Sequence, residues 1–245
     1  MQHFYVEPGA VNDSQIRITG QDVNHIRNVL RMKPGEEITI FDGQGREFRC
    51  MIAKIAEDVL ADIVEEKKTE AELGVRLLLF QGLPKKDKME LIIQKAVELG
   101  VSEIIPVITR RTVVKLEDEK QEKKKTERWQ AIAEAAAKQC GRGMIPKVSK
   151  VISFKEAIRQ MSELSEALMP YELTEGMNEA RERIRGLHGK SSVGIFIGPE
   201  GGFEEEEVRA AIEAGVHPIS LGKRILRTET AGLCVLSIIM FELQA

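Results

Sequence analysis

Near residue 70 the hydrophobic period of this 245-residue chain changes, and with it the kind of sheet each part can build. Before that point apolar and polar residues alternate, as in strands with one buried face. The stretch "EEITIFDGQGREFRCMIAKI" reads as a hairpin whose turn is Asp42-Gly43. "DVNHIRNVLRM" differs: Val23, Ile26, Val29 and Leu30 recur at helical spacing and predict a short amphipathic helix, ended by Pro34-Gly35. Residues 1–70 therefore read as a small β-rich, barrel-like domain, and "EEKKTEAELG" as a polar connector.

From residue 74 to 245 the pattern is strand, helix, strand, helix. Val75 to Gln81 is a continuous apolar run, as a strand buried on both faces would be. "DKMELIIQKAVELG" follows with Met89, Ile92, Ile93, Ala96 and Leu99 on one helical face and Gly100 as the stop. "EIIPVI" is the next strand and "ERWQAIAEAAAKQCG" the next helix. Further strands are expected near Glu166 to Tyr171, Val193 to Ile197 and Pro218 to Leu221, and a final helix over Thr230 to Leu243. The implied fold class is α/β with a mostly parallel sheet. Ligands of such sheets bind beyond the carboxyl ends of the strands. Three loops qualify: Met169 to Glu175, Gly198 to Gly202 and Gly222 to Thr228.

The stretch "IFIGPEGGFEEEE" (195–207) resembles a phosphate loop, yet four glutamates follow the glycines and Pro199 has no N–H to give. A Walker loop needs Gly-Lys-Ser/Thr, and a dinucleotide fingerprint needs G-x-G-x-x-G; neither is present. Acids in a first helical turn favour the helix dipole and oppose a bound polyphosphate. The ligand best suited is flat, neutral or cationic, and read by main-chain atoms. S-adenosylmethionine, an adenosine with a sulfonium and no phosphate, meets that description. The third loop, "LGKRILRTETAGLCVLSIIMF", runs from a strand end through Arg224 and Arg227 into the last helix, with Thr228 as the expected N-cap and Glu229 in the first turn.

The formal net charge is −3, so the chain as a whole does not advertise nucleic acid. Its local distribution does. Acid-free basic clusters occur at His25, Arg27, Arg31 and Lys33; at Lys138, Arg142, Lys147 and Lys150; and at Lys223, Arg224 and Arg227. Arg110, Arg111 and Lys115 form another basic group. The N-terminus "MQHFYVEPGA" lacks a basic segment and an apolar core, so no signal peptide is expected. Apolar runs fall short of the roughly 18 residues of a membrane span. Cys50, Cys140 and Cys234 have no metal-type spacing and read as buried free thiols of a reducing cytoplasm. Neither a metal nor a membrane is expected as partner.

"IGPEGGF" (197–203) and "LGKRILRTETA" (221–231) closely resemble two signature motifs of the SPOUT methyltransferases, in particular the bacterial 16S ribosomal RNA uridine-N3 methyltransferases. "NHIRNVLRMKPGEEITIFDG" (24–43), "KMELIIQKAVELGVSEIIPV" (88–107) and "RWQAIAEAAAKQCGRGMIP" (128–146) extend the resemblance over nearly the whole chain. It departs at the N-terminus, where the family often carries Arg near the position of His3. The resemblance implies an N-terminal PUA-like β-barrel, a C-terminal domain threaded as a trefoil knot, S-adenosylmethionine as cofactor, a homodimer, and 16S rRNA or the small ribosomal subunit as partner. By position it implies that Met169, Pro170, Tyr171, Gly198, Glu200, Gly201, Leu221, Gly222, Leu226 and Thr230 surround the cofactor.

Methylation of uridine N3 requires loss of its proton and an unpaired base. A cation near O2 or O4 would stabilise the anion, and Arg227 is the first candidate; Glu229 or Glu200 could accept the proton. No histidine has a convincing partner in sequence. RNA contacts are expected from Arg27, Arg31, Lys85, Lys88, Arg110, Arg111 and Arg142. Trp129 and Tyr5 are stacking candidates, although Trp129 shares a helical face with Ile132, Ala133 and Ala136 and is better read as core. Two rivals remain: a ribose 2′-O methyltransferase, and a non-catalytic RNA-binding assembly factor.

Overall fold

The computed structural model describes residues 2–114, 118–174 and 176–244. Lys115 of the expected basic group and Glu175 of the first expected loop lie outside the described residues. The chain divides into two compact units: Met1–Glu72 with Ala137–Ile145, and Leu73–Ala136 with Pro146–Ala245.

The first unit is a curled five-stranded sheet in the order β1 (Gln2–Tyr5), β3 (Glu37–Phe41), β4 (Arg46–Ile55), β5 (Val59–Lys68), β2 (Gln15–Ile18). β1 runs parallel to β3, and the other pairs are antiparallel. Alternation buries Phe48, Cys50 and Ile52 of β4 against Ile38 and Ile40. Register shifts at Arg49/Cys50 and Ile52/Lys54 bend the long β4–β5 ribbon. The hairpin turn is wider than a two-residue Asp-Gly turn. The Asp42 carboxylate accepts the N–H groups of Gln44 (2.9 Å) and Arg46 (3.1 Å), while Gly43 and Gly45 take positive φ.

The expected short helix forms as α1 (Gln21–Asn24) followed by a π turn over His25–Val29. Val23 and Ile26 are buried as the spacing predicts, but Val29 is 61% exposed. The Leu30 N–H donates to the His25 carbonyl, five residues back, and this wider turn rotates Val29 off the buried face.

Two residues expected to contact RNA are turned inward in this unit. Arg142, expected on RNA, is 4% exposed; its Nε lies 3.2 Å from Glu72 Oε2, so its charge is spent inside the unit. Tyr5, a stacking candidate, is buried, and its hydroxyl donates to the carbonyls of Ala137 and Arg142. All three cysteines are free, but only Cys50 is buried; Cys140 is exposed and Cys234 half-buried.

The second unit carries a seven-stranded, all-parallel sheet in the order β12 (His217–Ile219), β10 (Glu166–Pro170), β11 (Ser192–Ile197), β6 (Arg76–Gly82), β7 (Glu103–Ile108), β8 (Lys147–Val148), with β9 (Ile152–Ser153) also on β7. The helices are α2 (Lys88–Glu98), α3 (Glu119–Cys140), α4 (Phe154–Met161), α5 (Met177–Arg185), α6 (Glu205–Glu213) and α7 (Thr228–Leu243). Leu78, Phe80 and Phe196 face α4 and α6 in one core cluster. The opposite face is covered by α2 and α7; Gly232 of α7 sits against Ile197 and Gln81. The chain lays down β10 before inserting β11 between it and β6, an order that accords with trefoil threading. Trp129 is 7% exposed, a core residue as its helical spacing favours. On α2, Val97 is fully buried while Leu99 is only half-buried.

The last helix begins differently from the sequence reading. Arg227, not Thr228, holds the N-cap position, and Thr228 is 6% exposed with its hydroxyl turned into the protein. The cap role is lost because Thr228 has better partners, described next.

Candidate functional site

The carboxyl ends of β6, β10, β11 and β12 converge, and the three expected loops converge with them. After β11, Pro199 and Gly202 close a turn in which the Gly202 N–H donates to the Pro199 carbonyl at 2.9 Å. Gly202 needs φ +68°, which glycine adopts without strain. Gly82, at the end of β6, is equally constrained: a Cβ there would stand 2.6 Å from the Pro199 ring. The Thr228 hydroxyl donates to the Gly198 carbonyl at 2.6 Å, and the buried Gln81 amide donates to Thr228 Oγ1 at 2.9 Å. The start of α7 is thereby tied to the glycine turn and to β6. Nothing in the helix-cap reading of Thr228 foretold this. The available signal was Gln81 itself, a lone polar residue ending an apolar strand.

Two adjoining cavities open between these loops. The larger, about 410 Å³, is lined by Pro170, Glu172, Gly198 to Phe203, Ile225 to Thr228, Ala231 and Lys88. The smaller, about 80 Å³, lies among Pro170, Tyr171, Leu221, Gly222 and Leu226. Among the expected cofactor residues, Pro170, Tyr171, Gly198, Glu200, Gly201, Leu221, Gly222 and Leu226 thus line one or other cavity. Met169 and Thr230 do not. Met169 is fully buried in the sheet core. Thr230 is exposed, because at 3.6 residues per turn the face that carries Thr228 and Ala231 turns residue 230 away.

Lys88, expected on RNA, instead stands at the cavity between the two acidic candidates. Its Nζ is 3.2 Å from Glu200 Oε1 and 3.1 Å from Glu229 Oε2, the latter a charge contact without hydrogen-bond alignment. The Lys85 main-chain N–H also donates to both Glu200 oxygens, at 3.1 and 3.2 Å. Burial pushes both carboxyls up, but main-chain N–H groups and the Lys88 ammonium outweigh it, so both titrate below the ordinary carboxylate range. The Glu229 and Glu200 carboxylates in turn hold Lys88 above its ordinary value. Arg227 is exposed at the cavity and, among the described residues, has no ion pair.

The acidic run after the glycines has a local explanation. Arg111 Nε and Nη2 reach the two Glu204 oxygens at 2.8 and 3.2 Å, and Nη1 donates to the Gly201 carbonyl at 2.7 Å. The Arg110 N–H donates to Glu207 at 2.8 Å, and its guanidinium pairs with Glu206. Both were expected on RNA; Arg111 is instead engaged with the glycine turn and Glu204, and Arg110 with the first turn of α6. Lys85 remains exposed. In the first unit Arg27 and Arg31 are exposed, Arg31 with φ +55°. Among the described residues no cluster of His, Cys, Asp and Glu could hold a metal, and no helix is long and apolar enough to cross a membrane.

A cavity walled by main-chain turns at the carboxyl end of a parallel sheet defines a class: an α/β protein that binds a small organic molecule, in a chain that also contains a curled β unit. Family comparison is more specific. Residues 71–240 match the RNA methyltransferase domain and residues 18–71 the RNA methyltransferase PUA domain. The chain is 38% identical to the Ribosomal RNA small subunit methyltransferase E of Bacillus subtilis, over 99% of this chain and 97% of that one. Two solved structures are similar throughout. One is a methyltransferase of Legionella pneumophila with bound SAM (TM-score 0.80, 32% identity, 97% and 96% of the chains). The other is the Ribosomal RNA small subunit methyltransferase E of Neisseria gonorrhoeae bound to S-adenosyl methionine (TM-score 0.79, 36% identity, 97% and 95%). The chain belongs to the family of the ribosomal RNA small subunit methyltransferases E, with its RNA methyltransferase and PUA domains.

Proposed function

We propose that this protein transfers a methyl group from S-adenosylmethionine to N3 of a uridine in 16S rRNA. The observation that carries the reading is the tied turn Gly198–Gly202. Its main chain walls a cavity with no phosphate-type lysine loop, in a chain that is similar over 97% of its length to a structure with the same cofactor bound. The donor set fits that cofactor: main-chain atoms and apolar side chains suit an adenosine, and Glu172 on the rim suits a cation. When bound, S-adenosylmethionine supplies a methyl group activated by its sulfonium.

The chain's own residues then position and stabilise. Gly198, Gly201, Leu221, Gly222 and Leu226 hold the adenosine from the main chain, with Pro170 and Tyr171 beside it. Arg227 faces the oxygen that gains charge as uridine N3 loses its proton. Glu229 and Glu200 are the candidate acceptors of that proton. Their depressed titration under Lys88 favours a charge-fixing part over a strong base. Holding the two reactants in line supplies roughly 7–11 kcal/mol of such a barrier. Exposed Arg27 and Arg31 on the PUA unit, and Lys85 beside the cavity, contact RNA phosphates. The exposed Ile238 (42%) and Phe241 (80%) on α7 offer an apolar face to a second copy in a homodimer; action on ribosomal RNA would place the protein in the cytoplasm.

Nucleoside mass spectrometry of 16S rRNA from a deletion strain tests the reading. Loss of 3-methyluridine, restored by the gene, is expected. Intact 3-methyluridine with loss of a 2′-O-methylnucleoside would overturn it.

A further inference from the structure

A third cavity, of about 280 Å³, is lined by the loop whose Lys85 N–H holds Glu200. Its floor is apolar and buried: Leu83, Pro84, Met89 and Trp129. Its rim carries three cations, Lys86, Lys125 and Arg128, against Asp87 and Glu90. Glu90 is spent on Arg128, at 2.7 Å. Among the described residues, neither Lys86 nor Lys125 has an ion pair or side-chain hydrogen bond. Lys86 also sits at φ +56°, a conformation L side chains rarely adopt and one that persists where the surroundings impose it. The same short loop directs the Lys85 N–H onto Glu200, and Lys88 begins α2 at the reactive cavity.

We propose that this cavity is an RNA subsite. It takes one nucleotide of single-stranded RNA flanking the target base, the phosphate between Lys86 and Lys125 and the base or ribose against the Pro84–Met89–Trp129 floor. The volume is near the lower end of small-molecule sites, which suits one nucleotide rather than a helix groove. Unpaired lysines over an apolar, partly aromatic floor match the way single strands are held, by backbone charge and by contact with the base face. Occupancy there would fix the loop that fixes Glu200 and Lys88, coupling recognition of the flanking nucleotide to the geometry of the reactive cavity. The proposal rests on the RNA-methylating reading above.

Trp129 is the single tryptophan of the chain, so its emission reports on this cavity directly. The test titrates the full-length protein with a short oligouridylate, following Trp129 fluorescence and fluorescence anisotropy of the RNA together. It is repeated with Lys125→Glu and with Lys86→Gly, which keeps the positive φ without strain. Cofactor affinity and methyl transfer to 30S particles are measured alongside. Expected are an RNA-dependent change in Trp129 emission, weakened in both variants. The RNA KM should rise about tenfold, with a salt slope lower by about 0.7 per lost phosphate contact, at unchanged cofactor affinity. RNA that binds by anisotropy without altering Trp129 emission, or variants whose RNA KM stays within twofold of the parent, would overturn the subsite while leaving the methyltransferase reading intact. A wild-type protein that methylates no RNA would instead overturn that reading, and the subsite with it.

Discussion

The Thr228 hydroxyl donates to the Gly198 carbonyl at 2.6 Å, thirty residues earlier in the chain. This bond joins the first turn of the last helix to the glycine turn, and the buried Gln81 amide supports it from below. Thr228→Val keeps the shape and removes the donor, leaving the Gly198 carbonyl and the Gln81 amide without that partner. A buried polar group left unpaired costs about 1–3 kcal/mol. Calorimetry should therefore find cofactor affinity reduced by tenfold or more in Thr228→Val, and near normal in Thr228→Ser. Equal affinity in the valine variant would show that the tie does not shape the cavity.

Arg111 acts on the same turn from outside, through the Gly201 carbonyl and Glu204. The pair is roughly two-fifths exposed on each side, so its energy is modest and screened by salt. Its effect should appear as geometry rather than stability. Arg111→Ala is expected to raise the cofactor Kd several-fold with little change in melting temperature, and high salt should narrow the gap between parent and variant. Arg111→Lys should rescue only in part, because an ammonium cannot reproduce the planar fork.

Arg227 lines the cavity and has no ion pair among the described residues, so its removal breaks no salt bridge there. Arg227→Ala should reduce kcat by about 10²–10³, the loss typical of one donor to a developing oxyanion. Cofactor affinity measured by calorimetry should change less than threefold. Parallel losses in both would assign Arg227 to cofactor binding instead.

Much of this was legible in the sequence because periodicity reports burial. The apolar run ending at Gln81 gave the central strand, and the two glycine-bearing loops gave the cavity walls. Pairing was not legible. Arg110, Arg111 and Lys88 read as RNA-facing cations, yet each finds a carboxylate about 90 to 140 residues away in the chain, at Glu206, Glu204 and Glu229. Arg142 is likewise held by Glu72. An unpaired lysine and a paired one look alike in sequence, since only the fold brings distant charges together. Residues 137–145, which belong to the first compact unit, were invisible for the same reason: their partners lie in the first 72 residues.

Glu200 and Glu229 set a pH dependence with a definite sign. Their folded carboxyls titrate below the ordinary value of 4.5, through main-chain N–H groups and Lys88 acting against burial. A group depressed on folding contributes stability that is present above the unfolded value and lost as pH falls through the folded one. Melting temperature should therefore decline on acidification below about pH 4.5. Lys88→Met removes the ammonium, raises both carboxyls and should shift its own decline to higher pH. A variant whose acid limb coincides with the parent's would show that main-chain donors alone hold these acids down.

Among the described residues, Arg142 and Glu72 form the most buried ion pair of the first unit, their side chains 5% and 16% exposed. Glu72 also accepts the Met144 N–H, and the Arg142 carbonyl accepts the Tyr5 hydroxyl, so the pair organises residues 137–145 as well as neutralising itself. Breaking such a pair leaves a charge without compensation in a low-dielectric site, at a cost of about 3–5 kcal/mol. Glu72→Ala should lower the unfolding free energy in urea by that order. Replacing both partners with apolar residues, as in Glu72→Met with Arg142→Leu, should recover much of the loss. RNA affinity separates structure from recognition: in the doubly apolar variant it should match the parent, because Arg142 is enclosed by Glu72 and cannot reach a phosphate. A parent-like stability combined with a large loss of RNA affinity in that variant would return Arg142 to the RNA-binding surface.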